Sequence, residues 1–221
     1  MTRAMLRAWG WGALLILMIA LAVPTVVRAD ISDDAKAFIG KLSNEVLTQL
    51  TDANLPLAQQ EERFREIVTK YIAFESISRW VLGQRHWKKA SEAQREDYMR
   101  LYGDLMVSTY AHRFQGYSGE ALKVTRVRVI DENQALVESQ ITREGADKPL
   151  TINWRVRGAD GKYRIIDIMV EGLSMAQTQR SEFKSFMRSN GGDMNALLAN
   201  LNERLQKARS DRQIAQQGTS Q

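Results

Sequence analysis

The sequence predicts an α+β domain: a twisted antiparallel sheet of four strands, packed on one face by helices, with helices before and after the sheet. Two patterns predict this fold. From residue 32 to 114 apolar residues recur at intervals of three and four, which is the period of amphipathic helices. After Gly119 apolar and polar residues alternate, which is the period of strands. Short polar links between the strands favour an antiparallel meander.

Four helices are predicted before the sheet. The first covers residues 32–50 and has Ser32 as a possible cap, and the second begins just after Pro56. The third covers residues 74–83 and ends at Gly83, since glycine readily adopts positive φ. Ser91 and Gln94 form a capping box, which predicts a long helix from Ser91 to about residue 114.

The second half of the chain contains the strands and two further helices. Leu150, Ile152, Trp154 and Val156 alternate with polar residues, so one face of that strand is expected to meet the apolar interior. The predicted strands cover residues 122–130, 134–143, 150–157 and 162–170. Helices are expected at about 174–189 and 193–208, and residues 209–221 are predicted to be a disordered tail.

Composition excludes several kinds of chemistry. The chain has 221 residues, the length of one compact domain or two small ones, and we expect a single domain over residues 30–208. It contains no cysteine and only two histidines, so disulfides and thiolate metal sites are excluded and imidazole clusters are not expected. No metal or other cofactor is predicted.

The first 29 residues have the pattern of a cleaved secretory signal peptide. Basic Arg3 and Arg7 precede an apolar run, which is followed by Pro24 and by small side chains up to Ala29. An uncleaved membrane anchor is the alternative, because the uncharged run of residues 8–27 is long enough to span a bilayer. Cleavage after Ala29 leaves 28 of the 31 basic residues against 26 acidic ones, so most of the net charge of +5 belongs to the signal peptide. The mature chain is therefore not expected to bind nucleic acid.

Ser174 is the one candidate nucleophile. Residues 172–176 (GLSMA) follow a predicted strand and open a helix, as the nucleophile elbow of esterases does, but the last position is alanine where that motif has glycine. A helix cap is the preferred interpretation of Ser174, and an exported serine esterase is kept as the alternative. His86 is interpreted as a surface or loop residue, and His112 as a partner of free carbonyls at its helix end.

A cluster of basic residues lies between two tryptophans, Trp80 and Trp87. Such a cluster is either a solvated face or a docking patch for a protein or a lipid headgroup. Its members are Arg79, Arg85, Lys88 and Lys89.

Several ordered segments resemble the toluene-tolerance Ttg2D/MlaC family, and together they span about residues 33–205. Any one of these motifs is weak, whereas their order over this length is specific. The segments are residues 74–83 (FESISRWVLG), 87–95 (WKKASEAQR), 110–114 (YAHRF), 167–174 (DIMVEGLS) and 180–183 (RSEF).

The resemblance implies a non-enzymatic periplasmic phospholipid-binding protein of Gram-negative bacteria. Such a protein carries lipid between an outer-membrane lipoprotein–porin complex and an inner-membrane ABC transporter complex, and so maintains the lipid asymmetry of the outer membrane. It also implies an apolar cavity between helices and sheet that accepts the acyl chains. A hopanoid-associated branch of the family is similar, so a hopanoid or other lipid is the alternative cargo.

Twelve apolar residues are candidates for the lining of that cavity. The basic cluster beside Trp80 and Trp87 is the candidate docking patch for the partner complexes. The alternative is that these side chains only fill the core of a non-lipid adaptor, since periodicity does not distinguish a packed core from a lined cavity. The candidates are Val81, Leu82, Leu101, Leu105, Tyr110, Val137, Ile141, Ile152, Trp154, Ile166, Ile168 and Val170.

Overall fold

The computed structural model describes residues 31–52, 54–114, 122–142, 147–159 and 162–219, with the side chains of 159 and 213–219 left aside. The predicted signal peptide lies outside these residues. The described helices are α1 (Ile31–Leu50), α2 (Leu57–Tyr71), α3 (Phe74–Leu82), α4 (Gln84–Lys89), α5 (Glu92–Tyr110), α6 (Met175–Ser189) and α7 (Met194–Thr219). The strands are β1 (Leu122–Asp131), β2 (Gln134–Ile141), β3 (Leu150–Ala159), β4 (Lys162–Val170) and β5 (Leu173–Ser174).

The fold class is α+β, as predicted, but the sheet has five described strands instead of four. Their spatial order is β1-β2-β3-β4-β5, and each strand is antiparallel to the next. The additional strand pairs Leu173 with Val170 after a turn in which Glu171 and Gly172 both have positive φ. A strand of two residues has no period to detect, so the sequence pattern missed it.

The register of β2 and β3 defines two faces of the sheet. Val137 lies opposite Trp154, and Ala135 lies opposite Val156. Because directly paired residues project from the same side, these four side chains share one face, which we call the inner face. Helices α1 and α2 pack against this face, while on the other face Asp167 accepts a hydrogen bond from the first turn of α6.

Apolar side chains form two separate clusters. The sheet core joins α1, α2 and the inner face, and the helical core joins α3, α5, α6 and α7. The polypeptide passes from one to the other between α2 and α3, where Ala73 N donates to Ile165 O of β4 at 2.9 Å. One fold therefore contains two cores with different partners.

Three of the predicted helix caps are confirmed, whereas Ser32 lies inside α1, which begins at Ile31. Ser91 Oγ accepts from Gln94 N at 3.2 Å, and the Gln94 side chain accepts from Ser91 N at 3.0 Å. Gly83 ends α3 with φ of 88°, and Ser174 Oγ accepts from Gln177 N at 3.0 Å at the start of α6. Local chemistry alone determines these boundaries.

Three helical boundaries differ from the prediction. His86 belongs to the short helix α4 and not to a loop, because the positive φ of Gly83 lets a new helix begin at the next residue. The long helix changes to a 3₁₀ turn at Ala111–Phe114. Helix α7 continues to Thr219, through most of the segment predicted as a disordered tail. No described helix has the combination of length and apolar character that a bilayer crossing requires.

Candidate functional site

The structure separates the twelve predicted lining residues into two groups. Val81, Leu82, Leu101 and Leu105 are buried in the helical core. Of the sheet residues, Val137 is buried in the sheet core and Trp154 and Ile168 pack against it, while the other four are partly buried and belong to neither cluster. Tyr110 lies half-buried at the end of α5. Those on the sheet are Val137, Ile141, Ile152, Trp154, Ile166, Ile168 and Val170.

The helical core is tightly packed around aromatic rings. Tyr98 and Tyr102 stack with ring centroids 5.7 Å apart, and Phe183 meets Tyr102 edge-on at 5.4 Å. The Tyr98 hydroxyl donates to Ser78 O at 2.9 Å, so its polar atom is satisfied although the side chain is fully buried. Burial raises the pKa of both tyrosines above the ordinary value. The four predicted residues in this core therefore contact other side chains of the protein.

The two ends of the inner face differ in how deeply their apolar side chains are buried. At one end Ala135, Val137, Val156 and Ile165 are each 0% exposed beneath α1 and α2. At the other end every inner-face apolar residue is only partly buried, and we call this the open half. Its residues, which share the face by register, are Leu122, Val124, Ile141, Leu150, Ile152, Trp154, Ile168 and Val170.

A buried serine makes the open half chemically apolar. Ser139, opposite Ile152, is 0% exposed, and its hydroxyl donates to Ile152 O at 2.6 Å. The same hydroxyl oxygen accepts from Trp154 Nε1 at 2.9 Å. The polar atoms of Ser139 and Trp154 are thus hydrogen-bonded within the protein, and neither side chain presents a free hydrogen-bonding group to a ligand. Sequence reasoning missed Ser139, although a serine between apolar positions of one strand face was visible.

Two aromatic residues border the sheet core on the helix side. Phe64 of α2 and Phe114 of the 3₁₀ turn contact with ring centroids 5.8 Å apart, and both pack against the cluster that contains Trp154 and Ile168. The arrangement is an apolar sheet surface facing aromatic side chains across the cluster. It suits an apolar ligand, which needs area and exclusion of water more than polar contacts.

A polar cluster ties three helices together beside this region, and the sequence analysis did not find it. Arg212 of α7 donates to Ser108 Oγ of α5 at 2.7 Å and also forms a hydrogen-bonded ion pair with Glu61 of α2. The pKa of nearby His112 is lowered, mainly by burial and then by Arg113 and Arg212. Residues 61, 108 and 212 are too distant in sequence for any local pattern to relate them.

Ser174 and His86 are the remaining candidates for chemical roles. Ser174 caps α6, and none of its described hydrogen bonds involves a histidine. His86 lines a small cavity of about 220 Å³ at the edge of the helical core, and its pKa is lowered by burial and by Arg85. The other lining residues are Lys89, Ala90, Gln94, Met187, Gly192, Asp193 and Met194. No group of three or more acidic or histidine side chains suitable for a metal is found among the described residues.

The predicted docking residues lie on the exposed surface of α3 and α4. The Arg79 guanidinium lies 5.0 Å from the centre of the Trp87 ring and 3.6 Å from Glu75. Trp80 is 45% exposed and is covered on one side by Arg180, whose guanidinium lies 4.4 Å from the ring and also donates to Trp80 O. Arg85, Lys88 and Lys89 point into solvent.

An antiparallel sheet with a half-covered apolar face, bordered by aromatic helix residues, defines an α+β protein whose partly buried apolar surface suits an apolar ligand. Comparison with known proteins agrees with this class. The family model described as "MlaC protein" matches residues 40–203, and the chain belongs to this family.

Two named proteins and one solved structure are similar to this chain. The intermembrane phospholipid transport system binding protein MlaC of Haemophilus influenzae is 20% identical over 186 residues, covering 80% of this chain and 86% of its own. The toluene tolerance protein ttg2D of Pseudomonas putida is 19% identical over 134 residues, covering 60% and 61%. A phospholipid-binding protein from Ralstonia solanacearum, solved in complex with a phospholipid, superposes with a TM-score of 0.72 at 20% identity and covers 80% of this chain and 99% of its own. This likeness shows the shared fold.

Proposed function

We propose that this protein is a periplasmic phospholipid carrier and that the acyl chains lie against the open half of the inner face. The observation that carries the proposal is the row of partly buried apolar residues at one end of the inner face, whose other end is fully buried at Ala135, Val137, Val156 and Ile165. Membership of the MlaC family and the phospholipid bound by the Ralstonia protein support the choice of ligand. The predicted signal peptide supports export.

The energetics require a carrier to enclose its cargo. Two acyl chains hold roughly 30 methylenes, and at about 0.8 kcal/mol each their exposure to water costs about 25 kcal/mol. A binding surface made only of apolar side chains suffices for this task. The proposed carrier therefore needs no catalytic group, and Ser174 keeps its role as a helix cap.

The proposal narrows the predicted site to its sheet members and Tyr110. Ile141, Ile152, Trp154, Ile168 and Val170 contact the chains along the open half, while Val137 marks the closed end. Ile166 lies at the register shift between β3 and β4, and Tyr110 lies at the end of α5. Val81, Leu82, Leu101 and Leu105 belong to the packed helical core and are not part of the proposed site.

Native mass spectrometry of protein purified from the periplasm tests the proposal. We expect phospholipid to co-purify, and extraction followed by lipid identification distinguishes a phospholipid from a hopanoid. The Ile152→Arg variant should lose most of the bound lipid, since a charge placed among acyl chains is strongly unfavourable. Thr151→Arg is the matched control because the adjacent residue projects from the opposite face. Protein that is lipid-free under mild conditions, or equal occupancy in both variants, contradicts the proposal.

The transport role extends this proposal to partners. In it, the docking patch of Arg79, Arg85, Lys88 and Lys89 contacts the inner-membrane ABC transporter complex or the outer-membrane lipoprotein–porin complex, and lipid transfer between the two maintains outer-membrane asymmetry. Charge reversal of Arg85, Lys88 and Lys89 should weaken binding to at least one purified complex while lipid occupancy stays unchanged. Unaltered binding to both complexes would reject the patch and leave the lipid site standing.

A further inference from the structure

The outer face of the sheet carries a second cationic surface, on the side opposite the inner face. Its members lie at the end of the sheet where the β1–β2 and β3–β4 turns meet. Arg157 is paired directly with Arg164, and Arg155 and Arg128 are both paired with Leu136 between them. We call the surface formed by Arg128, Arg155, Arg157 and Arg164 the arginine face; all four are exposed.

The pairing of Arg157 with Arg164 is unfavourable for folding. Directly opposed residues on antiparallel strands have Cβ atoms about 5 Å apart, and like charges there are destabilising. Arg164 Nη1 donates to Tyr163 O at 2.9 Å, and Arg157 has no hydrogen bond or ion pair to the residues that the structure describes. Stability of the described fold therefore gives no reason for two arginines at these positions.

The carboxylates on this face are already engaged. Glu138 pairs with Arg128 at 2.6 Å, and Asp167 accepts from Ala176 N at 3.3 Å. Asp131 accepts from Asn133 N at 2.9 Å and from Gln134 Nε2 at 2.7 Å. Arg155 lies opposite Asp167 in the register, and its Nε donates to Gln134 Oε1 at 3.1 Å. Arg157 and Arg164 are paired with each other, and neither forms an ion pair with the residues that the structure describes.

An exposed apolar side chain borders the same end of the sheet. Ile130 is 48% exposed and lies at the register irregularity of β1, next to Asp131, which is paired with Gln134 of β2. Val129 is paired with Ala135 and therefore belongs to the inner face. Gln134 in turn lies opposite Arg157. Cations flanked by exposed apolar residues suit a bilayer surface, where the charge meets anionic headgroups and the apolar residues meet the upper acyl region.

We propose that the arginine face binds the anionic headgroup surface of a membrane. Guanidinium groups form paired hydrogen bonds to phosphate oxygens, which favours arginine over lysine for this role. Contact through the outer face leaves the inner face free, so membrane association and occupancy of the acyl site are separable. The inference holds whether or not the inner face binds lipid.

Vesicle sedimentation tests this directly. The full mature protein should bind vesicles that contain phosphatidylglycerol far better than vesicles of phosphatidylcholine alone, and high salt should release it. Because a basic residue near an anionic surface contributes about fivefold to binding, replacing Arg155, Arg157 and Arg164 by Gln should weaken it by roughly 100-fold. The matched control replaces the exposed Lys36, Lys41 and Arg209 by Gln, which removes the same charge elsewhere.

Two results overturn the proposal. One is equal weakening by both triple variants, which would show attraction by net charge alone. The other is failure of the unaltered protein to bind phosphatidylglycerol vesicles, which would leave an acidic protein as the remaining match for these arginines. Ile130→Ser provides a second, charge-neutral variant and should also weaken binding. Lipid occupancy measured on the same samples keeps this result separate from the acyl site.

Discussion

The helical core and the sheet core are built from similar apolar side chains but differ in how completely the protein covers them. In the helical core Tyr98, Phe183, Leu197 and Leu201 are each at most 1% exposed. In the sheet core that degree of burial stops at the middle of the inner face. The comparison indicates that the protein's own side chains cover most of the helical core, while the sheet core borders apolar surface that a ligand can cover.

The most severe test of this comparison is a large-to-small change in the helical core. Phe183→Ala should lower the free energy of unfolding by about 3–5 kcal/mol, because it removes a ring enclosed by Tyr98 and Tyr102. Urea denaturation followed by circular dichroism measures the change. A loss below about 1 kcal/mol would mean that this core is loosely packed and that the contrast with the sheet is unfounded.

The same substitution at two points of one face sharpens the comparison within the sheet core. Ile165→Ala, at the closed end, should cost about 2–4 kcal/mol, whereas Ile152→Ala, in the open half, should cost about 1 kcal/mol in lipid-free protein. Added phospholipid should raise the melting temperature of the unaltered protein more than that of Ile152→Ala, because a ligand stabilises the state that binds it. Equal costs at the two positions would contradict the distinction between the two ends.

The polar cluster that links α2, α5 and α7 should contribute less to the free energy of unfolding than the buried apolar residues do. Arg212→Gln removes an ion pair with Glu61 and a hydrogen bond to Ser108, both largely shielded from water, so we expect a loss of about 1–2 kcal/mol. The Arg209→Gln variant, at an exposed position of the same helix, is the control and should change stability by less than about 0.5 kcal/mol. Hydrogen exchange should show faster opening of α7 near Arg212 only in the first variant.

The smallest effect concerns pH and the attachment of α1 to α2. Hydrogen bonds from Lys70 and Tyr71, both at 2.6 Å, hold the pKa of Glu45 below its ordinary value of 4.5. A carboxyl group with a lowered pKa in the folded state stabilises the fold above the unfolded pKa, and this contribution disappears as the pH falls through the folded value. Burial and Glu45 raise the pKa of Tyr71 to about 12, so its contribution is lost at the opposite, alkaline end.

Thermal unfolding between pH 3 and pH 7 measures this dependence. The unaltered protein should lose stability below about pH 4.5 more steeply than Glu45→Gln, whose side chain does not titrate. Identical slopes for the two proteins would show that other carboxyl groups control the acid response.

Local signals explain which helix and strand boundaries the sequence predicts well. The Ser91 capping box, the positive φ at Gly83 and the serine cap at Ser174 all involve groups within a few residues of one another. Helix α4 and strand β5 were missed because six and two residues are too few to establish a period. The end of α7 was missed because α7 packs against α5 as far as the hydrogen bond between Arg212 and Ser108, and this packing stabilises a polar sequence that has little helical pattern of its own.

For the candidate site, the sequence by itself determined which residues are apolar and on which face of a strand they lie, since alternation needs only the neighbouring residues. It did not separate Leu101 and Leu105, which the structure places in the helical core, from Trp154 and Ile168, which pack against the sheet core. Only the tertiary structure decided how far α1 and α2 reach along the sheet, and hence which half of the inner face remains open. It also decided that Arg157 faces Arg164. The physical reason is that burial and cross-strand charge depend on residues brought together from distant parts of the chain, whereas periodicity records only local conformation.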